Sequence, residues 1–329
     1  MNKLRLVIPV YNDWTSFCML LHELDKEAAA LPFQLFVSAV DDGSTEGFKR
    51  NLADVSDLRH LIGVEILSLS LNVGHQRAIA IGLCVAAQDH DADAVLIMDA
   101  DGEDPPHAIL ALTRGIGDRK DFCFVAQRKK RIETISFKLF YLLYKTFFRV
   151  VTGKVISFGN FSILSQSYVD RLVMVSDLWN NLPAAILRSR LPIDLVPVHR
   201  GRRYAGKSHM NLISLIVHGL SSMSVYADTI FVRLLLLSSG LFIVGIALIF
   251  LVFTLRLFFP NHATPGWATT VAFGITIILL QALFTAISSI LMLLNNRVQR
   301  LVIPLLDSTP YLAGRELIFG RRFAKESIR

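Results

Sequence analysis

Three acidic residues at alternate positions, Asp99, Asp101 and Glu103, come directly after the apolar run of residues 94–98. This run predicts an inner strand of a parallel sheet, and open α/β sheets bind ligands at the edge where such strands end. Because alternate residues of a strand lie on the same side, Asp99 and Asp101 can point together. Carboxylate oxygens suit a hard cation such as Mg²⁺ or Mn²⁺, which usually takes one or two carboxylates together with substrate phosphates. The stretch therefore predicts chemistry on a metal-bound phosphate, and an acidic turn that only precedes the next helix is the alternative.

The elements that would position these acids are strands that alternate with helices. Two stretches, residues 15–30 and 77–87, have the spacing or the composition of helices. Four apolar runs end in polar clusters, and these runs are residues 4–10, 34–40, 64–71 and 94–98. The alternation predicts an α/β domain with a parallel sheet whose polar loops gather at one edge.

The polar clusters at that edge contain residue types that bind nucleotides. Asp41 or Asp42 can accept hydrogen bonds from a base or a ribose, although Asp-Asp-Gly-Ser is also a common turn. Gly74 allows a ligand to approach the backbone closely, and His75 can contact a phosphate or simply cap the next helix. Two predicted helix N-termini at this edge would add N–H donors and a favourable dipole for a diphosphate.

Two long uncharged segments near the C-terminus distinguish this chain from an ordinary soluble protein. Of its 329 residues 53% are hydrophobic, and residues 234–255 and 257–296 contain no Asp, Glu, Lys or Arg. Each segment can hold a transmembrane helix, which needs roughly 20 apolar residues. The short link at 259–266 has no Lys or Arg, whereas basic residues are dense before residue 231 and after residue 296. The positive-inside rule therefore predicts a hairpin with both chain ends in the cytoplasm.

The overall charge and the cysteines narrow the class of protein further. A net charge of +7 is compatible with nucleic acid or anionic lipid as a partner, and the hairpin favours the lipid bilayer, with no nucleic acid expected. The N-terminal apolar run is too short for a signal peptide, so we expect the first domain to be made in the cytosol. Three scattered cysteines, Cys18, Cys84 and Cys123, indicate buried side chains in a reducing compartment rather than a disulfide or a zinc site.

Four motifs in this order resemble glycosyltransferase family 2. They are VIPVYND at residues 7–13, VDDGSTE at 40–46, LNVGHQ at 71–76 and MDADGEDPP at 98–106. Together with the hairpin, they make the chain similar to the polyprenyl-phosphate glycosyltransferases of that family. The resemblance implies an α/β fold: a GT-A (Rossmann-like) catalytic domain with interfacial amphipathic helices and a C-terminal two-helix transmembrane hairpin.

The resemblance and the hairpin divide the chain into four parts. We expect a nucleotide-sugar-binding core at 1–133, an acceptor-side region at 134–229, two transmembrane helices at 230–296 and a basic cytoplasmic tail at 297–329. The expected location is the inner (cytoplasmic) membrane, with a multi-pass topology and a cytoplasmic catalytic domain.

The resemblance also implies residues of the active site. Combined with the residues argued above, it predicts a nucleotide-sugar site that comprises Pro9, Tyr11, Asp13, Asp41, Asp42, Gly74, His75, Asp99, Ala100 and Asp101. The implied ligands of Mg²⁺ or Mn²⁺ are Asp99, Asp101 and Glu103. Relatives commonly have Gln where Glu103 stands, and a carboxylate there adds negative charge beside a diphosphate.

A basic region after the fifth apolar run is expected to meet the acceptor. Arg128 matches a family arginine that relatives place near the acceptor phosphate, and Arg203 and Ser208 match the family signature Arg-x-x-Gly-x-Ser-Lys. Residues 135–151 suit a basic amphipathic helix in the plane of a membrane, or alternatively a helix that packs on the core. Residues 210–226 resemble a second interfacial helix. The predicted contacts to the acceptor phosphate or lipid are Arg128, Lys129, Arg131, Lys138, Arg203 and Ser208.

Three positions depart from the family pattern. Ser157 stands where an acid is usual, Asn160 precedes Phe161 where relatives have an Asp-Phe or Gly-Phe motif, and His209 replaces a usual Lys or Arg. These departures motivate an alternative function, a membrane scaffold that keeps the fold but has lost catalysis. A processive polysaccharide synthase is a further alternative, although no tryptophan here lies in the Gln-x-x-Arg-Trp motif that is usual in those enzymes.

The predicted function is inverting transfer of one sugar from a UDP- or GDP-sugar to polyprenyl phosphate at the cytoplasmic membrane face. A phosphate monoester, with a second pKa of about 6, is largely ionised at neutral pH, so no strong general base is required. The site must align the reactants, stabilise the departing diphosphate and supply cations. We expect Asp101 to lie nearest to the reacting sugar, and Arg128 and Arg203 to complete the catalytic group. Bacterial relatives are often tetramers, and a homo-oligomer is expected on that resemblance alone.

Overall fold

The chain forms two structural units. The computed structural model describes residues 1–48, 55–128, 146–154, 158–205, 219–259 and 266–323. The first unit consists of Met1–Ile135, Ile156–Val225 and Leu301–Arg329, and the second of Ser136–Val155 and Tyr226–Arg300. The chain therefore passes from the first unit into the second and back twice.

One mixed sheet forms the centre of the first unit. Its strands are β1 Lys3–Val10, β2 Gln34–Asp41, β3 Gly63–Leu69, β4 Ala94–Ile97, β5 Cys123–Arg128, β6 Ser162–Ser165, β7 Asp194–Val198 and β8 Leu312–Gly320. Their order across the sheet is β7-β5-β6-β4-β1-β2-β3-β8. Strands β1 to β4 are parallel, as the alternation of strands and helices predicts. Strands β6 and β8, which lie outside the apolar runs that predicted the parallel sheet, run antiparallel to their neighbours.

Helices cover both faces of this sheet. They are α1 Trp14–Ala28, α2 His75–Asp89, α3 Ala108–Thr113, α4 Gln166–Leu172 and α5 Leu182–Arg188. Alternate residues of β1 face opposite sides: Leu4 and Leu6 pack in one core with α1 and α3, whereas Val7 packs in the other core with α2, α4 and α5. Because both faces of the sheet are buried, the sequences of its central strands are continuous apolar runs.

The second unit contains two long apolar helices, α6 Ala227–Phe258 and α7 Trp267–Val298. Each is long and apolar enough to cross a membrane, since its 32 residues at about 1.5 Å per residue exceed the hydrocarbon thickness. Only 11% and 17% of the residues in their most apolar stretches are buried. Such a large exposed apolar surface fits lipid better than water. The predicted link between the two helices lies mostly at residues 260–265, outside the described residues.

A short helix at residues 146–152 is the described part of the first predicted interfacial helix. Its Phe148 is buried against Tyr226, with the ring centroids 6.1 Å apart, whereas its Val150 is exposed. The rest of that segment, and most of the second predicted interfacial helix at 210–226, lie outside the described residues. Their membrane-surface role stays a prediction.

The last described residues, 301–323, belong to the first unit and complete its sheet. After helix α8, Pro304–Asp307, the ring of Tyr311 packs on that of Trp179 with a centroid distance of 5.4 Å. Strand β8 then pairs with β3 along its whole length. Residues that the sequence pattern set apart as a basic tail thus contribute the eighth strand.

A buried ionic network joins β1, β3, β8 and the end of α2. Arg5 is fully buried and contacts Glu65 at 2.6 Å and Asp89 at 2.9 Å. Arg315 of β8 reaches the same two acids, at 2.9 Å and 2.5 Å. Burial acts to raise the pKa of Glu65, but the charges of Arg5 and Arg315 outweigh it and hold that pKa below its ordinary value. For Asp89, too, contact with the two arginines outweighs burial and lowers the pKa.

Candidate active site

The carboxyl ends of β1 to β4 meet at one edge of the sheet, where the predicted nucleotide-sugar residues lie. Pro9 lies near the end of β1, in register with Val40 of β2. Tyr11, just beyond β1, has an exposed fraction of 47%, so its ring is open to a planar base. Ala100 is buried in the loop after β4. The edge has the position at which open α/β sheets bind their ligands.

Asn12 ties the loop after β1 to the loop after β2. Its backbone φ of 51° is left-handed, a conformation that asparagine adopts more readily than most residues. Its Oδ1 accepts hydrogen bonds from N of Thr45 at 2.9 Å and from N of Glu46 at 3.3 Å. Its own N donates to Oγ of Ser44 at 3.0 Å. Asn12 was not among the residues predicted from the sequence, although its position inside the VIPVYND motif could have identified it as a residue of this site.

Asp42 holds the loop that leads into α2. Its buried carboxylate accepts hydrogen bonds from N of Val73 at 2.7 Å and from N of Gly74 at 3.0 Å. Burial raises the pKa of Asp42, although these two hydrogen bonds oppose the rise. Gly74 has a φ of 92° with open space around it, which permits the close approach expected there. Asp41 accepts a hydrogen bond from N of Ser44 at 2.9 Å. This contact is typical of a turn, which was the alternative to nucleotide binding for this stretch. Ligand contacts by both aspartates stay predictions.

Arg203 joins two predicted site acids that lie on different elements. Its Nη1 donates to Oδ2 of Asp101 at 2.9 Å, and its Nη2 donates to Oδ2 of Asp13 at 2.8 Å. A guanidinium is planar and its N–H donors have fixed directions, so it sets both the lengths and the directions of its hydrogen bonds to the two carboxylates. Arg203 belongs to residues 200–204, here called the docked segment, and Asp101 belongs to residues 99–104, here called the acidic loop. The structure therefore brings together three residues that the sequence predicted to share a site.

The docked segment meets the acidic loop through its main chain. N of Gly201 donates to O of Glu103 at 2.9 Å, and N of Tyr204 donates to O of Asp101 at the same distance. At Gly102, whose φ is 86°, a Cβ would lie 2.5 Å from the ring of Tyr204. Only glycine allows the two segments to approach so closely.

Arg200 pairs with Glu103 across the same contact. The ion pair joins Nη2 of Arg200 to Oε2 of Glu103, and the two side chains are 30% and 21% exposed. Sequence reasoning named Glu103 as a metal ligand and missed Arg200, for which the basic run at residues 199–203 was the signal. In the structure Glu103 faces a cation that the chain itself supplies.

His75, in the first turn of α2, contacts both Asp99 and Asn160. Its Nε2 lies 3.2 Å from Oδ1 of Asp99 and 3.1 Å from Nδ2 of Asn160. Nε2 of Gln76 donates to Oδ1 of Asn160 at 3.0 Å, so this departure from the family pattern is part of the site. Removal from solvent acts to lower the pKa of His75, but the charges of Asp99 and the neighbouring aspartates outweigh it and raise that pKa. A protonated imidazole here would attract a phosphate.

The three predicted metal ligands each have another partner in the structure. These partners are His75 for Asp99, Arg203 for Asp101 and Arg200 for Glu103. Within the part of the chain that the structure describes, no group of three or more His, Cys, Asp or Glu side chains is arranged to hold a metal ion. The donor chemistry still fits Mg²⁺ or Mn²⁺, because Asp99 and Asp101 offer hard oxygens at a strand end and such ions often take only one or two carboxylates.

The predicted acceptor residues are described only in part. Arg128 is the last residue of β5, in register with Val198 of β7. Strand β6 is antiparallel to both β4 and β5, so β4 and β5 run in the same direction. Arg128, at the end of β5, therefore lies at the same edge of the sheet as the acidic loop after β4. The remaining predicted contacts, and two of the family departures, lie outside the described residues: Lys129, Arg131, Lys138, Ser208, Ser157 and His209.

Curated relatives resemble the chain along most of its length. The undecaprenyl-phosphate 4-deoxy-4-formamido-L-arabinose transferase of Proteus mirabilis (strain HI4320) is 27% identical over 268 residues, which are 78% of each chain. The transferase of the same name from Klebsiella pneumoniae subsp. pneumoniae is 26% identical over 274 residues, which are 80% of each chain.

Solved structures and a family model give the fold and the family. Glucosyl-3-phosphoglycerate synthase of Mycobacterium tuberculosis, crystallised with Mn²⁺, uridine diphosphate and phosphoglyceric acid, has a TM-score of 0.50 and 11% identity. The match covers 70% of this chain and 78% of that chain, and the predicted GT-A-like fold is confirmed. The model described as glycosyl transferase family 2 matches residues 6–172, slightly more than half of the chain and all four motifs. The chain belongs to glycosyl transferase family 2.

Proposed function

We propose that the chain is a membrane-bound inverting glycosyltransferase that moves one sugar from a nucleotide-sugar to polyprenyl phosphate. The observation that carries this proposal is the bridge from Asp13 through Arg203 to Asp101 at the carboxyl edge of the sheet. The bridge puts two acids and a bidentate cation where a sugar diphosphate and an acceptor phosphate can meet. Relatives named as undecaprenyl-phosphate sugar transferases, which match about four fifths of the chain, support the choice of acceptor.

The donor would bind across the loops that follow β1, β2 and β4. The exposed ring of Tyr11 can stack on the base, and the loop that Asn12 and Asp42 hold in place can surround the ribose. The N-terminus of the 15-residue helix α2 supplies N–H groups and a positive dipole end for the diphosphate. Asp99 and Asp101 would hold a Mg²⁺ or Mn²⁺ ion, which when bound stabilises the departing diphosphate.

The acceptor phosphate supplies its own nucleophile. One of its ionised oxygens forms a bond to the anomeric carbon while the bond from that carbon to the nucleoside diphosphate breaks. The diphosphate leaves with the electron pair, and the configuration at the anomeric carbon inverts. The chain must therefore contribute alignment and positive charge, because the two phosphorylated substrates repel each other. Arg203 and Arg128 at the sheet edge are our assignments for that positive charge.

The order of elements along the chain supports the proposed membrane topology. Strand β8 follows α6 and α7 in the chain, but it pairs with β3, which precedes them. Two crossings of the membrane would bring the chain back to the side on which it started, as this order of elements requires. The basic residues before α6 and after α7 support the cytoplasmic face of the inner membrane as that side. Assembly into a tetramer rests on the resemblance alone, and light scattering on the detergent complex would measure it.

The decisive experiment is a transfer assay with a panel of radiolabelled nucleotide-sugars and undecaprenyl phosphate in detergent, with and without Mn²⁺. The panel includes UDP- and GDP-hexoses and nucleotide-linked 4-deoxy-4-formamido-L-arabinose, the sugar in the relatives' name. We expect a labelled lipid from the wild type and a loss of about 100-fold in Asp101→Asn. Asp194→Asn is the matched control, because this exposed acid pairs with Arg119 away from the acidic loop. Equal activity in Asp101→Asn, or no product from any donor with the folded protein in native lipid, would contradict the proposal.

A second candidate function is a scaffold that binds nucleotide without transferring sugar. The observation that favours it is Asn160, a departure from the family pattern that contacts His75. Calorimetry with uridine and guanosine diphosphates separates the two functions. Nucleotide binding that needs metal and is lost in Asp101→Asn supports the enzyme. Nucleotide binding that needs no metal and is unchanged in Asp101→Asn supports the scaffold.

A further inference from the structure

We propose that the ion pair between Arg200 and Glu103 is a latch that positions Arg203 for the transfer reaction. The inference rests on the proposed function and adds a positioning pair to it. It also gives Glu103 a role other than the metal ligand expected from the sequence.

Glu103 connects the acidic loop to the docked segment in three ways. Its N donates to Oδ1 of Asp101 at 2.9 Å, so it fixes the orientation of that carboxylate. Its O accepts the hydrogen bond from N of Gly201 at 2.9 Å. Its carboxylate pairs with Arg200. One residue thus touches both the acid nearest to the proposed reaction centre and the segment that carries the catalytic arginine.

Arg203 depends on that segment for its position. Its Nε donates to O of Ala205 at 3.0 Å, and its two terminal nitrogens reach Asp13 and Asp101. A bidentate contact of this kind fails when the backbone moves by about 1 Å, because both distances and angles change together. The latch holds this backbone from the end at Arg200, three residues before Arg203.

The charges at the latch also suit the proposed chemistry. A free carboxylate at position 103 would repel a sugar diphosphate bound at the acidic loop. Arg200 cancels that charge locally, while both side chains are only about one quarter exposed and therefore weakly screened. If Glu103 ligated a metal ion instead, Arg200 would lose its partner.

Hydrogen exchange measured by mass spectrometry on the full-length protein in detergent tests the latch without any need for activity. The variants are Arg200→Gln, Glu103→Gln, the double variant and the swapped pair Arg200→Glu with Glu103→Arg. We expect each single change to speed exchange in the peptide of residues 199–205 about fivefold, as the loss of a partly buried ion pair would do. The double variant should be no faster than either single one, and the swapped pair should slow exchange again. Arg119→Gln, which breaks an ion pair on the edge strand β7, is the control and should change nothing in this peptide.

Transfer kinetics and metal titration on the same variants test whether the ion pair positions Arg203 for the transfer reaction. We expect kcat/KM to fall about fivefold in each single variant, with an unchanged half-saturating metal concentration and recovery in the swapped pair. A higher metal requirement in Glu103→Gln alone would overturn the latch in favour of a metal ligand. Unchanged exchange in both single variants would overturn it as well. Absence of transfer by the wild type would overturn the proposed function but not the exchange result, so the two failures are distinguishable.

Discussion

Arg315 and Glu65 lie 250 positions apart in the chain, yet Nη2 of Arg315 donates to Oε2 of Glu65 at 2.9 Å. Glu65 is fully buried in β3 and contacts Arg5 of β1 as well. The strand that follows the two apolar helices is thereby bonded to acids that precede them. This contact adds a side-chain link to the backbone pairing of β8 with β3 at the outer edge of the sheet.

Replacement of Arg315 should destabilise the first structural unit, which contains the sheet. Arg315→Gln leaves Glu65 and Asp89 buried with less positive charge, and removing one partner of a buried ion pair costs about 3 kcal/mol. We expect a clear fall in the Tm followed by tryptophan fluorescence in detergent. Arg321→Gln, an exposed change in the same C-terminal segment, is the matched control. Equal Tm values for the two variants would contradict the prediction.

The same network should make stability depend on pH in the acid range. The pKa values of Glu65 and Asp89 are lowered in the folded state, so their stabilisation is present above the unfolded values of about 4 and is lost as pH falls through the folded values. Asp91 acts in the opposite direction, because burial raises its pKa. We expect the Tm difference between the wild type and Arg315→Gln to be largest near neutral pH and to shrink below about pH 4. Parallel Tm curves from pH 3 to 8 would disprove this linkage.

Substitution of Arg203 should separate the effect of charge from the effect of geometry. Arg203→Gln removes the cation, and we expect kcat/KM to fall about 100-fold, as for other groups that stabilise transition-state charge. Arg203→Lys keeps the charge but cannot bridge Asp13 and Asp101 with a planar fork, so a loss of about tenfold is expected. Arg202→Gln is the control at the exposed neighbouring position and should stay within about twofold of the wild type. Similar losses for all three variants would show that position in the bridge does not matter.

Loss of the Asn12 side chain should weaken donor binding more than turnover. Asn12→Gly keeps the left-handed backbone but removes the acceptor for N of Thr45 and N of Glu46. We expect the Kd for the nucleoside diphosphate to rise about 30-fold, because two neutral hydrogen bonds contribute roughly 1 kcal/mol each and about 1.4 kcal/mol corresponds to a factor of ten. Calorimetry measures the Kd, and kcat should change by less than about threefold. A fall in kcat with an unchanged Kd would contradict this positioning role.

The packing of α6 on α7 provides a comparison of two glycines in one helix. A Cβ at Gly245 would lie 2.5 Å from Cδ2 of Leu279, whereas a Cβ at Gly240 meets no atom within 4 Å. Gly245→Val should therefore force the two helices apart at a cost of about 1–3 kcal/mol, and Gly240→Val should be tolerated. Thermal unfolding in detergent measures both variants. Equal behaviour would mean that the helices do not pack through Gly245.

The sequence predicts the site edge well, because that edge follows from local patterns. Each central strand is an apolar run that ends in polar residues, and parallel strands bring those ends together. Asp99 and Asp101 follow β4 directly in the chain, in the turn that begins after Ile97, so their position at this edge needs no knowledge of distant residues.

What the sequence does not predict depends on partners that are far apart in the chain. The charge of Glu103 is visible in the sequence, but its pairing with Arg200 is not. Strand β6 has the sequence Ser-Ile-Leu-Ser, whose two apolar residues are too few to form an apolar run. Strand β8 lies beyond two apolar helices, so its pairing with β3 follows only from long-range contacts such as that of Arg315.

The position of β8 after the hairpin has a consequence for biosynthesis. A ribosome that has just finished α2 has made Arg5, Glu65 and Asp89, but the arginine that completes their network is still more than two hundred codons away. The strand that covers the outer edge of β3 is not yet made during that interval, in which α6 and α7 are synthesised. The eighth strand can therefore join the sheet only after both apolar helices have been synthesised. A nascent chain released before β8 would lack its final strand and would expose an unpaired sheet edge to proteases and chaperones.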